Sequence, residues 1–349
     1  MEISLIATVR NEADSIGPFL DGLLAQSRPP QEIVLVDGGS TDGTVEEIER
    51  ARSRSAVPIR LIEAPGTNIS EGRNVAIAAA THGTIAVTDA GTRPRRNWLA
   101  KLAEPLERDP ELGVSAGFFL PGGHGWRLRA LAIAITPHRR EIDPEEFLPS
   151  SRSVAFRKEW WRRVGGYPEW LRHCEDLVFD LALRDAGARF EFAPEAIVEW
   201  DARPGLRSFA RQYFDYARGD GHANLWPTRH LVRYSAYALG MALLAARRRS
   251  RWALPLLLAG AAAHHSKFAR RLLRIPASED PLEQAMAFAM LPAVVVTGDV
   301  AKMAGYAVGC WERAGIEGYD SDSSRPRPSS SEAKERTSSS ARSGATSNS

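Results

Sequence analysis

Residues Glu32–Thr44 read EIVLVDGGSTDGT. An unbroken apolar run ends on Asp37, two glycines follow, and Ser40, Thr41 and Asp42 stand where a helix can begin. A run without polar alternation fits a strand buried on both faces. The glycines permit a tight backbone, and the short polar side chains can cap the next helix. Taken alone, the stretch is a well-capped strand–turn–helix connection. A sharper reading makes it a nucleotide pocket in which Asp37 accepts hydrogen bonds from a base or ribose. It is no phosphate P-loop, because GxxxxGK[ST] is missing, and the absence of GxGxxG speaks against a nicotinamide cofactor.

The same unit repeats outward. Ile3–Val9, Ile59–Ala64 and Thr84–Gly91 are further runs of strand length. Gly17–Ser27, Thr44–Ser53 and Ser70–Ala80 have helical spacing between them, with Ser70 the expected N-cap of the third. This alternation predicts an α/β fold, a parallel sheet with helices on both faces. Such sheets bind ligands beyond the carboxyl ends of their strands. That rule singles out Arg10–Asn11–Glu12, Asp37 and Asp89. Further on, GVSAGFF and SRSVAFRK look like strands, Glu175–Gly187 like an amphipathic helix stopped by glycine, and ARFEFAPEAIVEW like two short strands around Pro194. On local grounds alone, Arg73 fits a surface ion pair or a diphosphate contact. Glu175 and Asp176 fit the acids favoured at any helix N-terminus.

Four pieces in order lift these residues above such local readings: SLIATVRNEADSI, VDGGSTDGT, GRNVAIAAATHGTIAVTDAG and CEDLVFDLALRDAG, between Ser4 and Gly187. Together they resemble the family-2 glycosyltransferases with the GT-A nucleotide-diphospho-sugar fold. The resemblance implies a Rossmann-like, mixed but mostly parallel sheet. It implies that Thr8, Arg10, Asn11 and Glu12 line the nucleotide pocket, that Asp37 with Gly39 meets the uracil or ribose, and that Arg73 lies near the base or diphosphate. Asp89 takes the first position of the family's DxD metal motif, with Mg²⁺ or Mn²⁺ as cofactor, and Asp176, beside Glu175, takes the place of the catalytic base. The later RQYFDYARGDG brings Gln212 and Arg218 to the substrate side and resembles the membrane-associated bacterial members. These roles suit the chemistry. A diphosphate leaving group needs its growing charge neutralised, and an attacking acceptor hydroxyl must lose its proton. One base and no glycosyl-enzyme step give inversion.

Two departures stand out. The second metal-motif aspartate is Gly91 here; Mg²⁺ needs only one or two protein carboxylates beside substrate phosphate, so Asp89 can suffice. Processive relatives carry QxxRW, but after Gln212 the last two places hold Asp215 and Tyr216, which points to transfer of a single sugar.

Composition sets the outer bounds. The 349 residues, 44% hydrophobic and 25% charged, are ordinary for a folded chain. A formal charge of +2 points to no nucleic-acid partner. The two cysteines, Cys174 and Cys310, lie far apart and suggest neither zinc nor a disulfide, so a reduced cytoplasmic setting is expected. The first residues lack a basic region and a cleavage site and read as a strand.

The character changes after Asp201. Leu206–Ile275 holds thirteen Lys and Arg against two acids, a formal excess of +11. The apolar runs Tyr234–Ala246 and Trp252–Ala263, of 13 and 12 residues, flank RRRSR, and Gln284–Gly298 is a third. Each is shorter than the ~20 residues of a comfortable span. The first two are expected to lie in or dip into the cytoplasmic leaflet, with the arginines on anionic headgroups. The third can extend past Asp299 and Lys302 into a span. The expected organisation is a catalytic domain over 1–205 facing the cytoplasm, a helical membrane-associated region over 206–314, and a disordered Ser-rich tail over 315–349.

The expected activity is transfer of one sugar from a UDP- or GDP-linked donor to a lipid-linked or glycan acceptor at the cytoplasmic membrane. A second reading, supported by Gly91, is a catalytically weakened relative that binds nucleotide sugar or lipid in an assembly. A third, a nucleotidyltransferase, is disfavoured because the first strand is not followed by a Gly-rich, arginine-containing loop.

Overall fold

Strand β1 (Ile3–Val9) pairs in parallel with β2 (Glu32–Asp37) on one side and β4 (Thr84–Val87) on the other, and β2 pairs in parallel with β3 (Ile59–Glu63). The computed structural model describes residues 1–122, 125–201, 205–274 and 280–315. In β1, Ile3, Leu5, Ala7 and Val9 enter one apolar cluster and Ile6 the opposite one; in β2, Ile33 and Leu35 oppose Val34 and Val36. These strands are mostly apolar because both faces are covered, and the buried Ser4 hydroxyl donates to Glu32 Oε1 at 2.6 Å. Helices α1 (Ala13–Leu24), α2 (Thr44–Arg54) and α4 (Trp98–Arg108) close the first face. Helices α3 (Ile69–Ala79), α6 (Lys158–Val164) and α7 (Glu175–Asp185) close the second. Helix α1 contributes Ile16, Phe19, Leu20 and Leu23, each stabilising by roughly 1.5–3 kcal/mol on full burial.

Past β4 the sheet becomes mixed. Strand β7 (Val154–Arg157) runs antiparallel to β4 and to β6 (Val114–Gly122). Strand β6 lies parallel to β8 (Phe190–Asp201), whose outer edge takes the short β5 (Thr92–Pro94) antiparallel. The order is β3-β2-β1-β4-β7-β6-β8-β5.

Several local expectations need correction. The N-cap of α3 is Asn68, not Ser70: Asn68 Oδ1 accepts from the Ser70 and Glu71 amides at 2.9 and 3.0 Å, and the Glu71 carboxylate accepts from the Asn68 amide at 2.7 Å. That reciprocal arrangement satisfies helix donors that a serine two residues further in cannot reach. Helix α1 starts at Ala13, not Gly17, because the β2–α2 loop supplies partners for its first amides: Glu12 N donates to Thr44 Oγ1 at 2.8 Å and Ala13 N to Asp42 Oδ2 at 3.1 Å. Strand β4 stops at Val87, and Thr92 donates through N and Oγ1 to the Asp89 carbonyl at 3.2 and 2.8 Å, so Asp89 sits on a turn. The two strands anticipated around Pro194 are one strand, β8. Its pairing with β6 jumps from Ala116↔Phe192 to Phe118↔Ile197, and Pro194, which has no amide to donate, falls in the gap.

Four helices join α5 (Trp126–Ile135) beyond the sheet: α8 (Leu206–His222), α9 (Pro227–Ala246), α10 (Ala253–Arg274) and α11 (Pro281–Ala314). Leu131, Phe209, Leu272, Leu291 and Val294 bind α5, α8, α10 and α11 into a third apolar cluster. The first short apolar run lies inside α9, of 20 residues, and the second, from Ala253 on, inside α10, of 22. Among the described helices, α11 alone is long and apolar enough to cross a membrane, by length and composition. At its middle Asp299 accepts from Arg233 Nε at 3.0 Å and Tyr237 OH at 3.2 Å and lies 2.8 Å from His264 Nε2, which ties α9 and α10 to it. Residues 1–313 form one compact unit. The expected disordered tail lies, from residue 316 on, outside the described residues.

Candidate active site

The loops after β1 and β2 are stitched into one ledge at the carboxyl edge of the sheet. Asn11, at φ +56°, donates its amide to Ser40 Oγ at 2.9 Å and accepts from the Thr41 amide at 2.9 Å through Oδ1. Asp37 is 2% exposed. Its Oδ2 accepts from the Gly39 and Ser40 amides, both at 2.9 Å, and its Oδ1 from Ser40 Oγ. The strand-end carboxylate thus shapes the turn that Gly39, at φ +93°, completes. Thr8 packs against Gly72 of α3, where a Cβ would lie 2.8 Å from Thr8 Cγ2. Arg10 is exposed, and Glu12, half-buried, accepts from Ser15 Oγ.

Arg73 is the buried strut of the site. On the inner face of α3 and 2% exposed, it donates through Nη1 to Glu175 Oε1 at 2.8 Å and through Nη2 to Asp89 Oδ1 at 2.7 Å, with Cζ 5.3 Å from the Tyr167 ring centre. One guanidinium so joins the turn after β4 to the first turn of α7. Burial pushes the Asp89 carboxyl up, but the Arg73 and Arg152 charges outweigh it and hold the group below its ordinary value. Glu175 goes the other way: burial and the adjacent Asp176 charge raise it more than Arg73 lowers it.

Asp176 makes no such ion pair among the described residues. Its Oδ2 accepts long hydrogen bonds from Ser150 Oγ at 3.3 Å and the Ser151 amide at 3.4 Å, and Oδ1 accepts from the Leu177 amide at 2.9 Å. The ion pairs of the cluster, Arg73–Asp89, Arg73–Glu175 and Arg152–Asp89, leave it out. The residue before the pair, Cys174, sits at φ +62°, a conformation that costs a non-glycine residue about 1 kcal/mol or more. Helix α8 holds it there: Cys174 Sγ donates to the Tyr216 carbonyl at 3.1 Å, and Gly219 packs so closely that a Cβ would lie 2.6 Å from the His173 carbonyl oxygen.

Arg152 closes the opposite side. The β4–β7 pairing ends at Val87↔Val154, two residues short of Asp89 and of Arg152, and Arg152 Nε lies 3.8 Å from Asp89 Oδ2. Its remaining partners are hydroxyls, Ser150 Oγ at 3.2 Å and Tyr216 OH at 3.4 Å. Its Cζ stands 4.9 Å from the Trp200 ring centre and 5.4 Å from that of Phe119. Gln212 donates to Tyr216 OH at 2.8 Å and so meets the cluster through the tyrosine. Arg218 is not brought in: 41% exposed, it donates through Nε to both carboxylate oxygens of Glu312 on α11, at 3.0 and 2.8 Å.

Residues 4–165 match the family model Glycosyl transferase family 2. The chain carries a family-2 glycosyltransferase domain. It is 27% identical over 224 residues to the Pre-mycofactocin glycosyltransferase of Mycobacterium tuberculosis, covering 61% of this chain and 46% of that protein. It is also 27% identical over 221 residues to the Succinoglycan biosynthesis protein ExoA of Rhizobium meliloti, 60% of this chain and 66% of the relative. The chain thus aligns with about half the length of the mycobacterial relative, 46%. A mannosyltransferase from Pyrobaculum calidifontis, solved in complex with GDP-Man and Mn²⁺, shares the fold, with TM-score 0.55 and 22% identity over 89% of this chain and 88% of that one.

This glycosyltransferase domain does not offer the acidic pair that the family's metal motif leads one to expect. Asp89 Oδ1 is held by Arg73 and Oδ2 faces Arg152. Gly91 brings no carboxylate; a Cβ there would lie 3.5 Å from Glu12 Oε2, which already accepts from Ser15. Among the described residues no group of three His, Cys, Asp or Glu side chains is placed to hold a metal ion. In this arrangement the residues do not fit a resident divalent cation.

Sequence reasoning passed over Arg152, Tyr216, Ser150 and Trp200. Arg152 stood inside a segment read as an ordinary strand, and the only signal was a charge at the mouth of an apolar run. Tyr216 was visible only as the residue replacing tryptophan in QxxRW.

Proposed function

We propose that the protein is an inverting glycosyltransferase that moves a single sugar from a UDP- or GDP-linked donor to a lipid-linked or glycan acceptor at the cytoplasmic face of a membrane. The observation that carries the reading is Asp176: a carboxylate outside the ion pairs of the described residues, beside the Arg73–Asp89–Glu175 cluster, at the ligand-binding edge of the sheet. The nucleotide would lie on the ledge made by Thr8, Arg10, Asn11, Glu12, Asp37 and Gly39. As the acceptor oxygen attacks the anomeric carbon, its proton passes to Asp176 Oδ2. The bond from that carbon to the diphosphate oxygen breaks, and the electron pair stays with the diphosphate. A single displacement of this kind inverts the anomeric centre, and general-base help of this sort contributes ~10²–10⁴-fold. Glu175, held by Arg73, positions the cluster. Among the described residues of the motif, Mg²⁺ or Mn²⁺ would find Asp89 alone, bonded to Arg73 and faced by Arg152 at 3.8 Å, so no step here passes through a metal.

The names of the relatives, two of them tied to glycosyl transfer or polysaccharide synthesis, support this reaction class, and the neighbour that binds GDP-Man makes a GDP-linked donor a natural first choice. Apolar side chains exposed on α9 and α10 around Arg247, Arg248, Arg249 and Arg251 support membrane docking. The alternative of a nucleotide-binding assembly subunit draws on Gly91. A panel of nucleotide sugars tested for donor hydrolysis, with NMR of the released sugar, separates the two: turnover with anomeric inversion is expected. Binding without turnover would favour the subunit, and retention would exclude the single displacement.

A further inference from the structure

We propose that Arg152 supplies the positive charge that meets the donor diphosphate, in place of a resident divalent cation; this rests on the donor reading above. The arrangement of charges carries the inference. Arg73 has both terminal nitrogens on carboxylates, at 2.7 and 2.8 Å, and only its Nε is left without a hydrogen-bond partner. Arg152, half-buried in the same cluster, has among the described residues no carboxylate within hydrogen-bond distance: its Nε is without a hydrogen-bond partner, and its one ion pair, to Asp89 Oδ2, is loose at 3.8 Å. Its terminal nitrogens hold only hydroxyls, at 3.2 and 3.4 Å, weak bonds that an anion can replace.

The side chain is also set in place before any ligand arrives. The rings of Trp200 and Phe119 pack against its guanidinium. Arg152 lies just beyond the pairing that ends at Val87↔Val154, 3.8 Å from Asp89 Oδ2 at the carboxyl edge of β4, where a metal motif would present its ion. Gly91 removes the second acid from that edge, and with it the competitor for the arginine. A planar guanidinium matches phosphate with paired N–H donors and stays protonated throughout. As the bond to the anomeric carbon breaks, the added charge on the diphosphate oxygen is stabilised by donors already oriented towards it. The proton ledger is unchanged: the acceptor proton goes to Asp176, and Arg152 neither gains nor loses one.

Isothermal titration of the full-length protein with UDP and GDP, in EDTA and in Mn²⁺, tests the proposal without need of turnover. Affinity in EDTA should fall within about threefold of that in Mn²⁺. Arg152→Gln should weaken the tighter nucleoside diphosphate by about tenfold or more, the loss of a charge-assisted phosphate contact, while uridine or guanosine binding stays at the wild-type level. Arg152→Lys, which keeps the charge and loses the fork, should fall between. Gly91→Asp, placing a carboxylate beside Glu12, should introduce dependence on Mn²⁺. Binding that requires Mn²⁺ in the wild type, or wild-type affinity in Arg152→Gln, overturns the arginine assignment and leaves the donor reading standing. Failure of both UDP and GDP to bind in either buffer overturns both.

Discussion

Glu175 and Asp176 are adjacent in sequence and opposite in circumstance. Glu175 is buried against Arg73; Asp176 Oδ2 accepts only long hydrogen bonds, from Ser150 and Ser151, while Oδ1 accepts from the Leu177 amide. A base must have an oxygen to offer, so Asp176→Asn should keep nucleoside diphosphate affinity and lower turnover by ~10²–10⁴-fold. Wild-type turnover in this variant would reduce Asp176 to a helix-terminal acid. One turn along α7, Asp180 is buried, and its Oδ2 has no hydrogen-bond partner. Burial, helped by the Asp176 charge, raises its carboxyl well above the ordinary value. The folded state then keeps a proton that the unfolded chain has released, so this residue's contribution falls as pH rises from the unfolded value towards the folded one. Inside that window each such proton costs about 1.4 kcal/mol per pH unit. Asp180→Asn should flatten the decline in melting temperature between pH 5 and 8; a slope equal to wild type would show that Asp180 is ionised in the fold.

At the scale of elements, α8 is clamped between the site and α11. Its Tyr216 reaches Arg152, and its far face meets α11 through glycines: a Cβ at Gly305 would lie 2.1 Å from the Phe214 carbonyl oxygen, and one at Gly309 2.0 Å from that of Arg218. Backbone atoms cannot swing aside as a side-chain tip can, so the helices must separate. Gly305→Ala should cost about 1–3 kcal/mol and weaken nucleoside diphosphate binding by loosening Tyr216. Gly260, on α10, has nothing within 4 Å of its would-be Cβ, and Gly260→Ala should stabilise by about 0.5–1 kcal/mol. Thermal melts of the pair check both signs; equal effects would mean that α8 and α11 do not approach as closely as the glycines permit.

For the whole molecule, the notable surface is on α9 and α10. Leu231, Val232, Leu239 and Met241 of α9 and Leu254, Leu256 and Leu258 of α10 are exposed, Met241 at 73%, and Trp252 stands beside the four arginines between the helices. Single exposed apolar residues are ordinary, but many on one helix pair, next to clustered arginines, match an anionic membrane surface. The protein should co-sediment with vesicles containing anionic lipid. Replacing Arg247, Arg248, Arg249 and Arg251 by Gln should weaken that partition by roughly a hundredfold or more at low salt, at about 1 kcal/mol for each basic residue. Retention of apolar contacts should leave part of the binding in high salt. Full recovery in the supernatant at low salt would refute membrane docking. A cut near residue 205 is not expected to release a well-behaved catalytic fragment, since it strips Phe209, Leu272 and Leu291 from the buried Ala130, Leu131 and Ile133 of α5 and removes Tyr216 from the site.

The strand–helix alternation, the parallel half of the sheet and the polar ledge after β1 and β2 were legible because they rest on local signals. Apolar runs such as Ile3–Val9 must be covered on both faces, and glycine with short polar residues must turn the chain after Asp37. The Asn68 cap was misplaced by two residues because Asn and Ser are both good caps, and only the Glu71 side chain chooses between them. The charge balance of the site belongs to the tertiary structure. Arg73 and Glu175 are 102 residues apart, and Asp89 and Arg152 meet just beyond the last β4–β7 pair, Val87↔Val154. No local pattern tells a carboxylate which cation it will face. The sequence alone announced Asp89 as half of a metal motif; folding surrounded it with two guanidiniums, because the energy of a buried charge depends on partners brought from distant segments.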